Sequence, residues 1–307
     1  MRIAVVTPVS HLKGIVDLLL TKGKVFLYEE STKEQVRELL LTHNIDTIVC
    51  NPNQQTYIID KELLKDTNVR LINTCSTGMN HIDVKYCQEN NIEIYSLTKD
   101  MELINNLPST SELAFGLMLS LLRKIPEGKM HVSKYGWDYT QFMGRQVKDL
   151  KIGIIGYGRL GKIMHKYCKA FGAETMIHDP YIDVGIFTAS LEDIFSKCDV
   201  ISLHVHVTDE TKYMINKDLL GYMKKNSYII NTSRGEIVNE QDIVNALKED
   251  KIAGYGTDVI ENEFDDLKKS PIISAMNEGE NIIITPHVGG MTYEGQTKAY
   301  KWAIDKL

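Results

Sequence analysis

Two doubly wound α/β domains are the architecture that this 307-residue sequence predicts. Three observations point to it. Short apolar runs alternate with amphipathic stretches along most of the chain, as parallel strands alternate with the helices that cover them. Mid-chain, the apolar run Ile152-Gly153-Ile154-Ile155 breaks into Gly156-Tyr157-Gly158-Arg159-Leu160-Gly161, and a helical pattern follows from Arg159 to Phe171. Length favours two domains, because single cores stop growing at roughly 250–300 residues.

Taken in order, the first hundred residues read as strands at Ile3 to Val6, Val25 to Tyr28, Thr47 to Cys50, Leu71 to Asn73 and Ile92 to Tyr95. Helices fall between them, for instance at Lys33 to Thr42 and Asp83 to Glu89. No glycine fingerprint follows the first strand. Ser109 with Glu112 three residues on predicts a capping box, opening a helix that runs to about Lys124. A polar connector leads to the strand at Ile152. Beyond it, strands read at Glu174 to His178, Val200 to His204, Tyr228 to Asn231, Ala253 to Thr257 and Ile282 to Thr285. Helices read at Leu191 to Lys197, Lys217 to Met223 and Glu240 to Glu249, and Tyr293 to Lys306 is helical in pattern.

The glycine-rich turn carries the first chemical expectation. Its glycines let the chain turn sharply and bring the backbone close to a pyrophosphate, which then faces the positive end of a helix dipole. Asp179 follows the next strand, about 20 residues past the glycines, where a carboxylate accepts both ribose hydroxyls of NAD and repels a 2′-phosphate. Strand, glycines, helix and acid together predict a Rossmann domain that binds NAD.

Composition narrows the alternatives. Apolar residues make up 43% and charged residues 25%, an ordinary balance for a globular chain. The net charge of −6 argues against nucleic acid as a partner, since phosphate binding wants clustered Lys and Arg. Leu113 to Leu122, the most apolar helical stretch, is too short for a bilayer, which takes about 20 residues, so no membrane association is expected. Its nearly all-round hydrophobicity predicts burial against the sheet and a second subunit, and burial within one subunit explains it equally well. Cys50, Cys75, Cys87, Cys168 and Cys198 are scattered without a Cys-x-x-Cys pair, and Met1-Arg2 leads straight into a strand. Both features predict a cytoplasmic protein with no leader. The histidines show no ligand spacing; His204 and His206 alternate across a strand, and no metal site is expected.

A hydride-transfer site needs a cation for a substrate carboxylate and a proton source for the developing alkoxide. In a doubly wound fold such groups sit after the carboxyl ends of strands. Arg234, Glu263 and His287 each follow a predicted strand, although each alone has an ordinary reading as a surface ion-pair partner, a solvated charge or a turn residue.

Together these blocks resemble the NAD-dependent D-2-hydroxyacid dehydrogenases over nearly the whole chain. Gly78-Met79-Asn80-His81-Ile82-Asp83 is similar to the family's substrate loop, Ser109 to Lys124 to its interdomain helix, and Leu203 to Thr211 to its cofactor-flanking loop. The resemblance implies a flavodoxin-like substrate domain, residues 1–98 plus 288–307, and a Rossmann domain, residues 99–287. It implies that Arg234 holds the substrate carboxylate and polarises the carbonyl. His287 would exchange the proton, while Glu263 would orient the imidazole and stabilise its positive charge. NAD contacts would come from Gly156, Gly158, Arg159, Leu160, Gly161, Asp179, Val205, Thr232, Asp258, His287 and Gly290, with Asp258 at the nicotinamide end. Backbone N–H groups of Ser76, Thr77 and Gly78 would meet the carboxylate from the first domain as water leaves. The implied partner is a small 2-hydroxy or 2-keto acid, and the implied assembly a homodimer.

Departures from the family pattern bear on specificity. Phe264 follows Glu263 where proline is usual, which leaves Glu261 as a rival carboxylate, and His206 also stands where proline is common. Trp137 to Gly144 resembles the linker of the phosphoglycerate dehydrogenase subgroup. Cys50 and Thr74, however, stand where that subgroup has phosphate-binding arginines, and neither can pair a phosphate. The chain also closes without that subgroup's added regulatory domain. Glu263 disfavours formate, whose branch carries glutamine there. Two other readings remain open at this level: an NADH-sensing corepressor, in which the three side chains would be superfluous, and oxidation of an unusual acid such as phosphite.

Overall fold

The computed structural model describes residues 1–52, 57–263 and 265–307. They form two compact units, one of Met1–Leu107 with Gly290–Leu307 and one of Pro108–Gly289.

The first unit runs β1 (Arg2–Val5), α1 (Ile15–Lys22), β2 (Lys24–Leu27), α2 (Lys33–Thr42), β3 (Thr47–Cys50), α3 (Lys61–Leu64), β4 (Leu71–Thr74), α4 (Val84–Glu89), β5 (Glu93–Ser96) and α5 (Met101–Asn105). Its sheet is parallel with order β2-β1-β3-β4-β5, the flavodoxin-like order. Side chains alternate across a strand, so β1 sends Ala4 to one face and Ile3 and Val5 to the other. Ala4 packs with Ile48, Ile72 and the α2 residues Val36, Leu39 and Leu40. Ile3 and Val5 pack with Val49 and the α1 residues Ile15 and Leu19. Helices therefore cover both faces, which is why the strands read as continuous apolar runs. Helix α2 starts at Thr32, whose side chain accepts from the Gln35 N–H while the Gln35 side chain accepts from the Thr32 N–H.

The second unit begins with α6 (Ser109–Leu122) and α7 (Ile125–Ser133), then runs β6 (Lys151–Ile155), α8 (Arg159–Ala170), β7 (Glu174–His178), α9 (Leu191–Lys197), β8 (Val200–Leu203), α10 (Lys217–Leu220), β9 (Tyr228–Asn231), α11 (Glu240–Lys248), β10 (Gly254–Thr257), α12 (Pro271–Glu278) and β11 (Ile282–Ile284). Its parallel sheet has order β7-β6-β8-β9-β10-β11. The order reverses beside β6, which pairs with both β7 and β8. A crevice at the carboxyl ends of those strands is where such folds place a ligand.

Several expectations are corrected here. The capping box at Ser109 does not form. Pro108 occupies the N-cap position, its ring offers no acceptor, and Ser109 is already the first helical residue. The same helix stops at Leu122, because Lys124 takes a left-handed φ of 49°. The supposed polar connector contains α7, with Pro126 in its first turn. The apolar face of α6 is consumed within its own unit: Ala114, Leu117, Met118 and Leu121 pack against Ile152, Ile154 and Ile230.

Helix α13 (Tyr293–Asp305) completes the first unit. Tyr300, Ala303 and Ile304 join the core formed by Ile3, Val5 and Ile15, the Tyr300 hydroxyl lies 2.9 Å from Thr7 Oγ1, and Asn73 donates to the Ala303 carbonyl at 2.7 Å. Residues 99–107, assigned by sequence to the second domain, also belong to this unit. Ile104 packs with Leu97 and Ala299, and Trp302 donates to Asp100 at 2.8 Å.

Candidate functional site

The fingerprint turn is built on missing side chains. Gly156 has φ of 90°, and a Cβ there would lie 2.4 Å from the His204 carbonyl oxygen. A Cβ on Gly161 would lie 2.0 Å from the Gly156 carbonyl oxygen, so only glycine lets α8 pack this close to β6. Gly158 is the N-cap of α8 and makes no side-chain cap bond; a Cβ on it would meet nothing within 4 Å. The open space at this helix N-terminus, which has no side-chain cap, suits an anion. Arg159 and Leu160 form the first turn of α8, and the Leu160 carbonyl accepts from Ser111 at 3.0 Å.

Asp179 follows β7 and ties the acid to the turn. Its Oδ2 accepts from the Tyr157 N–H at 2.7 Å and its Oδ1 from the Tyr181 N–H at 2.9 Å. Each oxygen keeps a second lone pair for a ribose hydroxyl. Past β8, Val205 lies against Gly156 and His204 is half-buried with its Nδ1 shielded, and that desolvation pushes its pKa down to about 4 and leaves the ring neutral. Past β9, Thr232 is buried. Two polar atoms in these loops, His204 Nδ1 and Thr232 Oγ1, are buried and have no hydrogen-bond partner among the described residues. Buried polar atoms are seldom left unsatisfied, so a polar ligand fits here. Glycine cradle, Asp179 and orphaned atoms together match a dinucleotide.

The loops after β9, β10 and β11 carry Arg234, Glu263 and His287, the three side chains singled out in the sequence. Arg234 follows β9 and is half-buried, its guanidinium donating to the Ser233 carbonyl at 2.6 Å. The turn is fixed by Asn231, which donates to the Arg234 carbonyl at 2.9 Å and accepts from the Ser233 N–H at 3.0 Å. His287 follows β11 with φ of 52°, and its Nδ1 lies 2.7 Å from Glu263 Oε2. Their side chains are 33% and 20% exposed, so the pair is shielded yet open to solvent on one side. Phe264, the departure beside Glu263, lies outside the described residues. Glu261 is taken elsewhere: its carboxylate accepts from the Tyr213 hydroxyl, which pushes the Tyr213 pKa up to about 12.

Asp258 supports the histidine from beneath. Its Oδ1 accepts from Thr285 at 2.6 Å and from the Val288 N–H at 2.8 Å, and its Oδ2 from the Gly289 N–H at 2.7 Å. Its carbonyl accepts from the His287 N–H at 2.9 Å. Burial raises the Asp258 pKa, against the lowering effect of those donors. A side chain on Gly289 would strike the carboxylate, its Cβ lying 2.9 Å from Oδ2. Thr285 and Gly235 escaped the sequence reading. Gly235 lets the Arg234 turn lie on the next loop, since a Cβ there would sit 2.0 Å from the Ile260 carbonyl carbon. Its adjacency to Arg234 was the available signal.

In the first unit, Ser76, Thr77 and Gly78 form the loop after β4. Ser76 donates to the Gly78 carbonyl at 2.7 Å, and its hydroxyl lies 2.9 Å from Thr74 Oγ1. Cys50 and Thr74 are fully buried against His81, whose Nε2 lies 3.5 Å from Cys50 Sγ and 3.0 Å from Thr74 Oγ1. Gly290 opens the second segment of this unit, and its carbonyl accepts from Gln296 at 2.9 Å. Among the described residues, no group of three or more His, Cys, Asp or Glu side chains could hold a metal ion.

Comparison with known proteins follows the same division. The catalytic domain of the D-isomer specific 2-hydroxyacid dehydrogenases matches residues 4–100, and the NAD binding domain of the same family matches residues 115–289. A D-2-hydroxyacid dehydrogenase (NAD(+)) of Clostridioides difficile is 34% identical over 263 residues, covering 78% of this chain and 76% of that protein. A D-3-phosphoglycerate dehydrogenase of Methanocaldococcus jannaschii is 30% identical over 284 residues, covering 90% of this chain but 51% of that protein, so the chain spans about half the length of that relative. The structure of D-lactate dehydrogenase from Escherichia coli superposes with a TM-score of 0.84 at 23% identity, covering 99% of this chain and 95% of that one.

Proposed function

The chain belongs to the D-isomer specific 2-hydroxyacid dehydrogenase family, and on that basis we propose that it interconverts a small D-2-hydroxy acid and its 2-keto acid with NAD(H). The single observation that carries this reading is the 2.7 Å contact between His287 Nδ1 and Glu263 in the loops after β10 and β11. An imidazole held at one nitrogen by a carboxylate presents the other as a proton donor or acceptor. Bound nicotinamide supplies or takes the hydride at C2. Arg234 holds the substrate carboxylate with its planar fork and draws charge from the carbonyl. As the carbonyl oxygen gains charge, His287 passes its Nε2 proton to it; in oxidation the same nitrogen takes the proton back. Glu263 keeps the ring orientation and offsets the positive charge on the imidazolium. The cradle of Gly156, Gly158, Arg159, Leu160 and Gly161 is assigned to the pyrophosphate and Asp179 to the ribose. Val205, Thr232, Asp258 and Gly290 are assigned to the remainder of the dinucleotide, and the N–H groups of Ser76, Thr77 and Gly78 to the substrate carboxylate. The burial of Cys50 and Thr74 supports a small acid without a phosphate.

The chain is further proposed to work as a homodimer in a reducing compartment, where its five buried thiols stay free. Large apolar side chains left exposed between residues 125 and 143, Trp137 foremost, are assigned to contact with a second copy.

A panel of 2-keto acids with NADH, followed at the nicotinamide absorbance, tests the activity. Turnover with at least one small keto acid is expected. In His287→Ala a loss of roughly a thousandfold in kcat is expected, in keeping with removal of a general acid. Tight NADH binding with no turnover on any keto acid would overturn the reading in favour of a sensor.

A further inference from the structure

We propose that Glu240 is a positioning residue for proton transfer, holding the loop that carries Glu263 through the backbone N–H of Glu261. The inference deepens the preceding reading and rests on it, because the group being positioned is the Glu263–His287 pair.

Glu240 is the first residue of α11, with Asn239 as the N-cap, and its side chain is buried at 6% exposure. Its Oε1 accepts from the Glu261 N–H at 2.8 Å. Glu261 is two residues ahead of Glu263, and Asn262 between them turns the chain with φ of 58°. The far side of that turn is closed by the Asp265 N–H donating to the Asn262 carbonyl at 2.9 Å. Two further contacts hold the loop on the Glu240 side. Gly235 lies directly on the backbone of Ile260 and Glu261, and Tyr213 gives its hydroxyl to the Glu261 carboxylate. Tyr213 is itself anchored, its N–H donating to the Glu236 carbonyl at 2.8 Å. Glu240 is thus the polar side chain that fixes the loop backbone beside the residue gripping His287. Moving that backbone by an ångström would move Glu263 Oε2 with it, and misplacement of that size costs about a hundredfold in rate.

The tether is sensitive to charge. The titratable groups bearing on Glu240 are the carboxylates of Glu261 and Glu236 and the hydroxyls of Tyr213 and Tyr255. Burial is the largest influence and, with those carboxylates, pushes the Glu240 pKa up to about 7 despite the Glu261 N–H. Below that pH the neutral acid holds the Glu261 N–H through its carbonyl oxygen. Above it, the carboxylate accepts the same N–H more strongly, so ionisation tightens the tether while burial and the two neighbouring carboxylates oppose it. Glu240→Gln keeps the acceptor and removes the ionisation. Glu240→Leu removes both.

The experiment compares wild type, Glu240→Gln and Glu240→Leu in keto-acid reduction across pH, with NMR of the Glu261 amide in the absence of substrate and cofactor. In wild type that amide resonance is expected to titrate near neutral pH, and in Glu240→Gln to stay fixed. Glu240→Gln should keep kcat within about twofold at neutral pH and lose the part of the wild-type pH profile that follows Glu240 ionisation. Glu240→Leu should lower kcat about tenfold or more with KM within about twofold, and glutamine but not leucine should restore the rate. Wild-type turnover that fails in His287→Ala secures the underlying reading independently. If that holds while Glu240→Gln shows the wild-type pH profile and an unchanged Glu261 titration, the role assigned to Glu240 is overturned. The amide titration and the Glu240→Gln profile decide the matter even if the leucine variant does not fold.

Discussion

Arginine and lysine carry the same charge in different shapes. A guanidinium offers parallel N–H groups that match both oxygens of a carboxylate, whereas an ammonium offers a point charge on a flexible stem. Arg234→Lys is therefore expected to lower kcat/KM for keto acids by roughly a hundredfold, about 2.7 kcal/mol of transition-state stabilisation. NADH affinity, read by fluorescence titration, should change by less than about threefold. Retention of kcat/KM within threefold would remove Arg234 from the substrate site. Arg234, Glu263 and His287 were singled out in sequence because each follows a predicted strand, the position where this class of sheet presents its chemistry. The three donors around Asp258 were not. They converge only because β10 and β11 pair with Thr257 opposite Ile284, and register is a property of the folded sheet. Spacing from Asp258 favoured Glu263 over its minor rival Glu261, and the Tyr213 hydroxyl engages the Glu261 carboxylate.

Among the elements, the turn from β6 into α8 depends on an acid contributed by the end of β7. Asp179 both holds the Tyr157 N–H and faces the place assigned to the ribose. Replacing it with serine removes the charge that repels a 2′-phosphate and weakens the grip on the turn. Asp179→Ser is expected to raise the ratio of NADPH to NADH kcat/KM at least tenfold, mostly through loss of NADH efficiency. An unchanged ratio would separate Asp179 from cofactor choice. The strand–glycine–helix–strand–acid succession was legible because it is local and each residue type has one mechanical purpose. Helix α7 was not. Pro126 and Gly128 are poor helix formers, yet proline is tolerated in a first turn, where its missing N–H has no partner to lose. The capping box failed for the converse reason: the right pair of side chains stood one residue inside the helix.

For the whole molecule, apolar surface must be accounted for unit by unit. Tyr135, Trp137, Tyr139 and Met143 are 99%, 89%, 85% and 83% exposed, an unusual concentration for one short stretch. Analytical ultracentrifugation is expected to give about twice the chain mass of 34.9 kDa. The double variant Tyr135→Ser, Trp137→Ser should shift the population towards monomer at micromolar concentration. A monomeric wild type would leave this surface without the assigned partner. Sequence left the all-round hydrophobicity of α6 open between a second subunit and burial within one, and the helix does pack on the sheet of its own unit. Residues 99–107, expected in the second domain, lie in the first unit. What draws them into the first unit is contact with Ala299 and Trp302, some 200 positions away in the chain.

That long-range closure has a consequence for biosynthesis. The core around Ile3, Val5 and Val49 lacks one wall until Tyr300, Ala303 and Ile304 arrive. A ribosome makes the whole Rossmann unit in between, and domains generally fold as they emerge. The portion begun first is thus finished last: its sheet must wait, one greasy flank only partly covered by α1, while a later neighbour is translated and folds ahead of it.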